Sequence, residues 1–300
     1  MSPPPSSPAS PGPAGKKVFE IGGRTVGADG TLFLIAGPDL AEPEALCTRI
    51  AARVARACER RGIVYIFKGS FDKANRTSAS SYRGPGIEAG LRVLKRVREY
   101  SGVPVLTDVH EVWQVERVAE VADVLQVPAF LCRQTDLVAA CAKTGKVVNV
   151  KKGQFLAPWD AQKIAEKVEA AGGSKLILTE RGTCFGYNLL VNDLRSIPIM
   201  KRGTGYPVCY DATHSQQTPA ARGLASGGMP EFIAPMARAA VAAGADGVFL
   251  EVHENPASSP VDPETHFPVE ALDPLLDDLL AIRNVVAPSR APKKAPFRTV

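Results

Sequence analysis

Side chains able to carry charge or move a proton recur at the ends of short apolar runs in this sequence. They are Asp39, Lys68, Asp108 with His110, Gln126, Lys151 with Lys152, Glu180 with Arg181, Asp211 with His214, and Glu251 with His253. Packing alone does not account for so regular a placement, because ionisable groups are seldom buried without a partner or a task. The cations among and near them, Lys68, Lys73, Arg76, Arg83, Lys151 and Arg181, exceed what a neutral ligand needs. Arginine forks bind phosphate or carboxylate through two parallel bonds and lysine acts as a point charge, so the set suits two phosphates and a carboxylate. Asp39, His214, Glu251 and Asp262 form a second set, of types that ligate divalent metals. Residue types leave blander uses open: loop charges are often simply solvated, and a histidine among carboxylates can be satisfied by hydrogen bonds. His266 has no partner visible in the sequence and receives no role.

For these groups to meet, the runs before them must end on one face. Eight β-rich runs are legible, at residues 32–35, 63–67, 103–107, 121–126, 147–150, 176–179, 208–210 and 247–250. Helical patterns fill the gaps. In the first, Pro43 suits an opening turn, Leu46, Ile50, Val54 and Ala57 share a face, Arg60 and Arg61 suit the negative end, and Gly62 closes it. The last helix repeats the logic with Leu272, Leu275, Leu276, Leu279 and Val286. Continuous apolar strands alternating with helices predict a parallel sheet covered on both faces, and eight strands close into an α/β (βα)8 TIM barrel. A doubly wound open sheet is the alternative, but no GxGxxG follows any run. Residues 18–21 and 24–26 around Gly22-Gly23 read as a β-hairpin ahead of the barrel. In a barrel of this kind the strands' C-terminal ends converge on one mouth, where the polar groups above would assemble.

The chain has 300 residues, 45% apolar and 22% charged, with a mean hydropathy of −0.03, which fits a soluble globular protein with a large core. Its formal charge of +5 comes from the ends: Lys16, Lys17, Arg290, Lys293, Lys294 and Arg298 lie outside a nearly neutral body. No nucleic-acid-binding face is implied. Residues 1–17, rich in proline and serine, and 288–300, proline-rich and basic, are expected to be disordered tails flanking one domain at 18–287. No run reaches the ~18 apolar residues of a membrane span and no signal peptide is visible, so the expected compartment is the cytoplasm. The six cysteines form no CxxC pair and are expected to be reduced and mostly packed.

Several ordered stretches then carry a resemblance: FKGSFDKANRTS at 67–78, SYRGPG at 81–86, TDVHE at 107–111, PAFLCRQTDL at 128–137, NVKKGQFLAPWD at 149–160, TERGTCFGYN at 179–188, YDATHS at 210–215 and SGGM at 226–229. Over residues 31–287 the sequence resembles the 3-deoxy-D-manno-octulosonate 8-phosphate synthases. That resemblance implies a transferase that condenses phosphoenolpyruvate with D-arabinose 5-phosphate for lipopolysaccharide biosynthesis, on a (βα)8 barrel closed below by a hairpin, in a homotetramer. It implies that Lys73, Gln126, Lys151 and Arg181 hold phosphoenolpyruvate, with Arg133 nearby and Lys68 beside the reacting centre. Asn75, Arg76, Thr77 and Asp108 would hold arabinose 5-phosphate, Arg76 and Thr77 on its phosphate. The resemblance also gives Lys68, Lys73, Asn75, Asp108 and His214 catalytic parts.

One position departs from the family. Its metal-requiring members resemble AGPC in the first strand's loop and its metal-independent members carry Asn there, whereas this chain reads Ala36-Gly37-Pro38-Asp39. The stretches LAPWD, TERGT and YDATHS resemble the metal-requiring members, and His214, Glu251 and Asp262 fall where their other ligands lie. The expectation is a divalent metal, Mn, Fe, Zn or Mg, held by Asp39, His214, Glu251 and Asp262, with the carboxylate favouring harder ions than a thiolate does. A seven-carbon synthase and a non-catalytic relative are the competing readings.

Overall fold

The computed structural model describes residues 14–27, 30–76, 78–218 and 227–286. Thr77, residues 1–13 of the first expected tail and all of the second lie outside them. Two short strands, β1 (Phe19–Ile21) and β2 (Arg24–Val26), pair antiparallel as the expected hairpin. Eight parallel strands follow: β3 (Phe33–Gly37), β4 (Val64–Lys68), β5 (Val105–Asp108), β6 (Val124–Val127), β7 (Val147–Lys151), β8 (Leu176–Glu180), β11 (Val208–Asp211) and β14 (Gly247–His253). Each pairs with the next in this order, and β14 pairs with both β11 and β3, so the sheet closes into the expected barrel. Every residue of these strands is buried, because side chains facing inward fill the lumen and those facing outward meet the helices.

The helices are α1 (Glu44–Glu59), α2 (Ile87–Ser101), α3 (Gln114–Ala119), α4 (Thr135–Lys143), α5 (Ala161–Ala170), α6 (Ser196–Thr204), α7 (Ile233–Ala242) and α8 (Leu272–Val286). In α1 the apolar spacing buries Ile50, Val54 and Ala57. In α8 Leu272, Leu275, Leu276 and Leu279 are buried, but Val286, expected on the same face, is 44% exposed at the helix end, past the last turn that meets the barrel. Small pairings decorate the mouth: a hairpin of β9 (Thr183–Gly186) and β10 (Leu189–Val191), a bridge of β12 (Gln217–Thr218) with β13 (Gly227–Gly228), and β15 (Phe267–Pro268) beside the end of β14. The six cysteines are free; all but Cys184 are buried.

At the opposite end, where strands begin, the first hairpin buries Phe19, Ile21 and Val26 in the core. Its Gly22 turn lies against Pro104, the residue before β5: a Cβ at Gly22 would stand 3.1 Å from the proline ring. Ala14 and Lys17 donate backbone hydrogen bonds to Arg202 and Gly205 at the end of α6, extending this seal. At the mouth, Gly37 is required where β3 meets β4, since a Cβ there would fall 1.8 Å from the Lys68 carbonyl. That close approach brings the β3 loop and the Lys68 side chain together.

Candidate active site

The loop after β3 turns sharply at Asp39, which adopts φ 73, a left-handed conformation that aspartate tolerates better than most residues. The turn points its carbonyl at the Ser70 amide (2.9 Å) and at Lys68 Nζ (3.0 Å). Lys68, at the end of β4, is wholly buried and also bonds Asp39 Oδ1 at 2.9 Å and Glu251 Oε1 at 2.8 Å. Lys73 reaches the same Asp39 oxygen and bonds Ser70 Oγ at 3.0 Å. Burial opposes ionisation of Asp39, but the Lys68 and Lys73 charges outweigh it and hold its carboxyl well below the usual range. Burial would likewise strip Lys68 of its proton, yet Asp39 and Glu251 raise its pKa instead. Glu251 goes the other way: burial and the Asp39 charge beside it push its carboxyl up to about 8.

Whether these residues suit a cation is decided by the atoms left over. Asp39 Oδ2 and Glu251 Oε2 are both buried with no hydrogen-bond donor among the described residues. His214 Nδ1 is bonded to Asp211 Oδ2 at 2.8 Å, which leaves Nε2 as the free nitrogen, 3.6 Å from Glu251 Oε1. Burial lowers the His214 pKa to about 4, so its lone pair is available at neutral pH. Asp39, His214 and Glu251 each offer a ligand atom within 4.8 Å of the others. Two donor-starved carboxylates and a neutral imidazole steadied by a second carboxylate fit a divalent ion. Asp262 is not in this group. With φ 42 it turns its carboxylate to Arg76 Nη1 (3.0 Å) and Gln217 Nε2 (3.1 Å).

A polar chain crosses the lumen beside the lysines. Ser70 and Gln126 each donate to an Asp108 oxygen, Asn149 donates to Gln126 at 2.8 Å, and Thr179 to Asn149 at 2.6 Å. Burial works against the Asp108 charge, but Lys68 and Lys73 keep its pKa below the normal range. Lys151 pairs with Asp211 and sits 3.4 Å above the Phe249 ring; burial prevails there and lowers its pKa. Arg181 is buried, its pKa depressed by that burial, and it bonds Gln217 Oε1 through Nη2 at 3.2 Å. Arg181 Nη1 and Arg76 Nε are buried donors without a partner among the described residues. Two cationic forks with spare donors, three lysines and a carboxylate pocket in one mouth can neutralise several anionic groups at once.

Lys68, Lys73, Asp108, Gln126, Lys151, Arg181, Asp39, His214 and Glu251 thus meet at the strand ends, with Arg76 at the rim. Asn75 and Arg133 are exposed, and the Arg133 carbonyl accepts from Lys167. Arg83, counted among the mouth cations on its charge, is exposed and paired with Asp72, because the loop after β4 turns it outward. The sequence reading missed Ser70, Asn149, Thr179 and Gln217. The neutral types gave no charge signal, and only the polar interruption of apolar runs could have found Asn149 and Thr179.

A model of the DAHP synthetase I family matches residues 14–280. The chain belongs to this family. Among curated relatives, a 2-dehydro-3-deoxyphosphooctonate aldolase of Trichlorobacter lovleyi is 54% identical over 270 residues, 90% of this chain and 99% of the relative. Proteins of the same name from Cyanothece sp. and Geotalea uraniireducens are 55% and 53% identical, covering 86% and 90% of this chain and 95% and 99% of their own lengths. As a DAHP synthetase I family member, the chain places its charged mouth within the matched span. No helix among the described residues is long and apolar enough to cross a membrane.

Proposed function

We propose that the chain is a 3-deoxy-D-manno-octulosonate 8-phosphate synthase, a transferase that condenses phosphoenolpyruvate with D-arabinose 5-phosphate and water. The observation that carries this is two arginines of the mouth, buried Arg181 and half-buried Arg76, each with a buried donor unused among the described residues, together with the Lys68, Lys73 and Lys151 cations. Lys73, Gln126, Lys151 and Arg181 hold phosphoenolpyruvate, with Arg133 at the rim. Asn75, Arg76, Thr77 and Asp108 hold the sugar phosphate. Carbon 3 of the enol phosphate attacks the aldehyde carbon, water adds to carbon 2, and the carbon 2–oxygen bond breaks to release phosphate. Lysines that neutralise the anions bring two like-charged substrates together, which is the entropic part of the acceleration. Lys68 keeps a positive charge beside the reacting carbon, and Asp108 orients the sugar through its oxygens.

Asp39, His214 and Glu251 would hold a divalent metal, Mn, Fe, Zn or Mg, with Asp262 joining them by giving up its bonds to Arg76 and Gln217. When bound, such an ion supplies electrophilic polarisation of an aldehyde or a water. Exposed apolar groups around the mouth, including Phe130, Phe155, Phe185 and Tyr187, support a homotetramer, and the compartment is the cytoplasm. Phosphate release tests the function: with phosphoenolpyruvate and Mn²⁺, arabinose 5-phosphate supports turnover and erythrose 4-phosphate does not. Turnover with the four-carbon sugar alone would make it a seven-carbon synthase, and none with either would make it a non-catalytic relative.

A further inference from the structure

We propose that Lys152 and Glu180 form a positioning pair that fixes the adjoining residues Lys151 and Arg181 for phosphoenolpyruvate. The inference rests on the reading above, in which Lys151 and Arg181 hold that substrate. Strand alternation sets the arrangement. Lys151 pairs with Asp211 and Arg181 bonds Gln217 on the lumen side, so Lys152 and Glu180 lie behind them. Both are buried, and Lys152 Nζ stands 3.5 Å from Glu180 Oε1. The Lys152 amide donates to the Thr179 carbonyl at 2.8 Å, which carries the pairing of β7 with β8 up to this point.

An ammonium has three hydrogens to donate. Those of Lys152 reach the Gly153 carbonyl (3.2 Å), the Leu156 carbonyl (3.2 Å) and Thr183 Oγ1 (3.3 Å), so one side chain joins the loop after β7 to the first residue of β9. Glu180 supplies the other half. Its Oε1 accepts from the Arg181 amide at 2.9 Å and from the Gly182 amide at 2.8 Å, and Gly182 turns the chain with φ 88. The carboxylate thus sets the backbone from which the Arg181 side chain departs. Arg181 meets Gln217 with Nη2 and leaves Nη1 without a partner among the described residues, so its direction depends on that backbone. A buried ion pair adds little net stability, because desolvation offsets its attraction. Its use here is geometric: it holds two cations on adjacent strands at the spacing that one ligand with two anionic groups requires, while both cations stay directed into the lumen.

Calorimetric titration with phosphoenolpyruvate and steady-state kinetics, both on the full chain with Mn²⁺, test this. Lys152→Met/Glu180→Gln removes one charge of each sign, so the net charge beside the substrate is unchanged and a loss reports geometry. Phosphoenolpyruvate affinity falls about tenfold, the equivalent of roughly one charged hydrogen bond. The KM for arabinose 5-phosphate at saturating phosphoenolpyruvate stays within about twofold. Thr183→Val, which removes one of the three acceptors and suits a strand, weakens phosphoenolpyruvate about threefold with the same selectivity. A merely structural role would lower the melting temperature and weaken both substrates alike. Phosphoenolpyruvate affinity equal to that of the wild type in either folded variant, or a matching rise in KM for arabinose 5-phosphate, overturns the proposal while leaving the function standing. Failure of the wild-type protein to bind phosphoenolpyruvate overturns both.

Discussion

The two ends of the barrel use charge in opposite ways. Where the strands begin, charged groups are spent on the fold. Asp246 bonds the Val208 amide at 2.9 Å and Lys201 at 2.8 Å, while its carbonyl takes the Phe33 amide at 3.1 Å, tying three neighbouring elements together. Asp123 does the same for the Val105 amide at 2.9 Å, and Arg283 donates to the Gly30 and Ala245 carbonyls. Where the strands end, the charges are left unfinished. The buried side-chain atoms without a hydrogen-bond partner among the described residues belong, apart from Ser196 Oγ, to strand ends and the loops that follow them. Buried polar groups are normally satisfied, so a face that concentrates the exceptions is prepared for something the chain does not itself contain. One end of the fold therefore carries stability and the other carries chemistry.

The largest effect that would break this division is expected at Asp246. Asp246→Ala leaves the Val208 amide without its acceptor and Lys201 with only the Gly244 carbonyl, and losing two hydrogen bonds to a buried carboxylate, at about 1.5–3 kcal/mol each, costs about 3–5 kcal/mol of stability. Urea unfolding measures the loss, and kcat/KM per folded molecule stays within about twofold. A large loss of turnover at unchanged stability would place catalytic work at the wrong end.

At the mouth the signs reverse. Arg181→Ala removes a preorganised donor, which typically costs about 10²–10³ in turnover, or about 2.7–4 kcal/mol of transition-state stabilisation. Stability should fall little, because burial already disfavours this guanidinium, its Nη1 has no partner among the described residues to lose, and its bond to Gln217 is long at 3.2 Å. Steady-state kinetics and a melting curve on one preparation decide it. A drop in Tm comparable to that of Asp246→Ala would mean that Arg181 holds the barrel together.

The same contrast explains what could be read in the sequence. The barrel was legible because its strands are buried on both faces, so 32–35 and 247–250 stand out as unbroken apolar runs, and the mouth was legible because charged residues follow them. Partners were not. Asp123 and Asp246 look like ordinary loop carboxylates, and nothing local says that they clamp neighbouring strands. Asp262 was grouped with the metal ligands on type and resemblance, yet its present partners, Arg76 and Gln217, are 186 and 45 residues away along the chain. The positive φ at Asp39 depends on how β3 meets β4 and left no mark in residue type. Asn149 and Thr179 are single polar residues inside apolar strands, a weak signal whose meaning appears only when the lumen closes around them.

The smallest predicted effect sharpens the contrast at its most unusual residue. A carboxylate that works for the fold, like that of Asp246, has both oxygens occupied by donors, whereas Asp39 Oδ2 and Glu251 Oε2, on carboxylates of the same cluster, have none among the described residues. Two such oxygens beside a neutral imidazole favour a hard divalent ion, because the site offers mainly oxygen. Asp39→Cys would replace one hard ligand by a soft one. The Lys68 and Lys73 ammoniums that now pair with the Asp39 carboxylate would stabilise the thiolate, so the new ligand is available at neutral pH. Lys68 also keeps its bond to the backbone carbonyl of residue 39, which limits the disturbance. The expected result is a shift of about tenfold, ~1.4 kcal/mol, in favour of Zn²⁺ over Mn²⁺. Displacement of Mn²⁺ by Zn²⁺, followed by the electron paramagnetic resonance signal of free Mn²⁺, measures that ratio without recourse to turnover. Exhaustive chelation completes the test: if the wild-type protein binds no Mn²⁺ and keeps full activity without metal, the unused oxygens serve a shared proton rather than an ion. In that case Asp39→Cys leaves the protein indifferent to both metals.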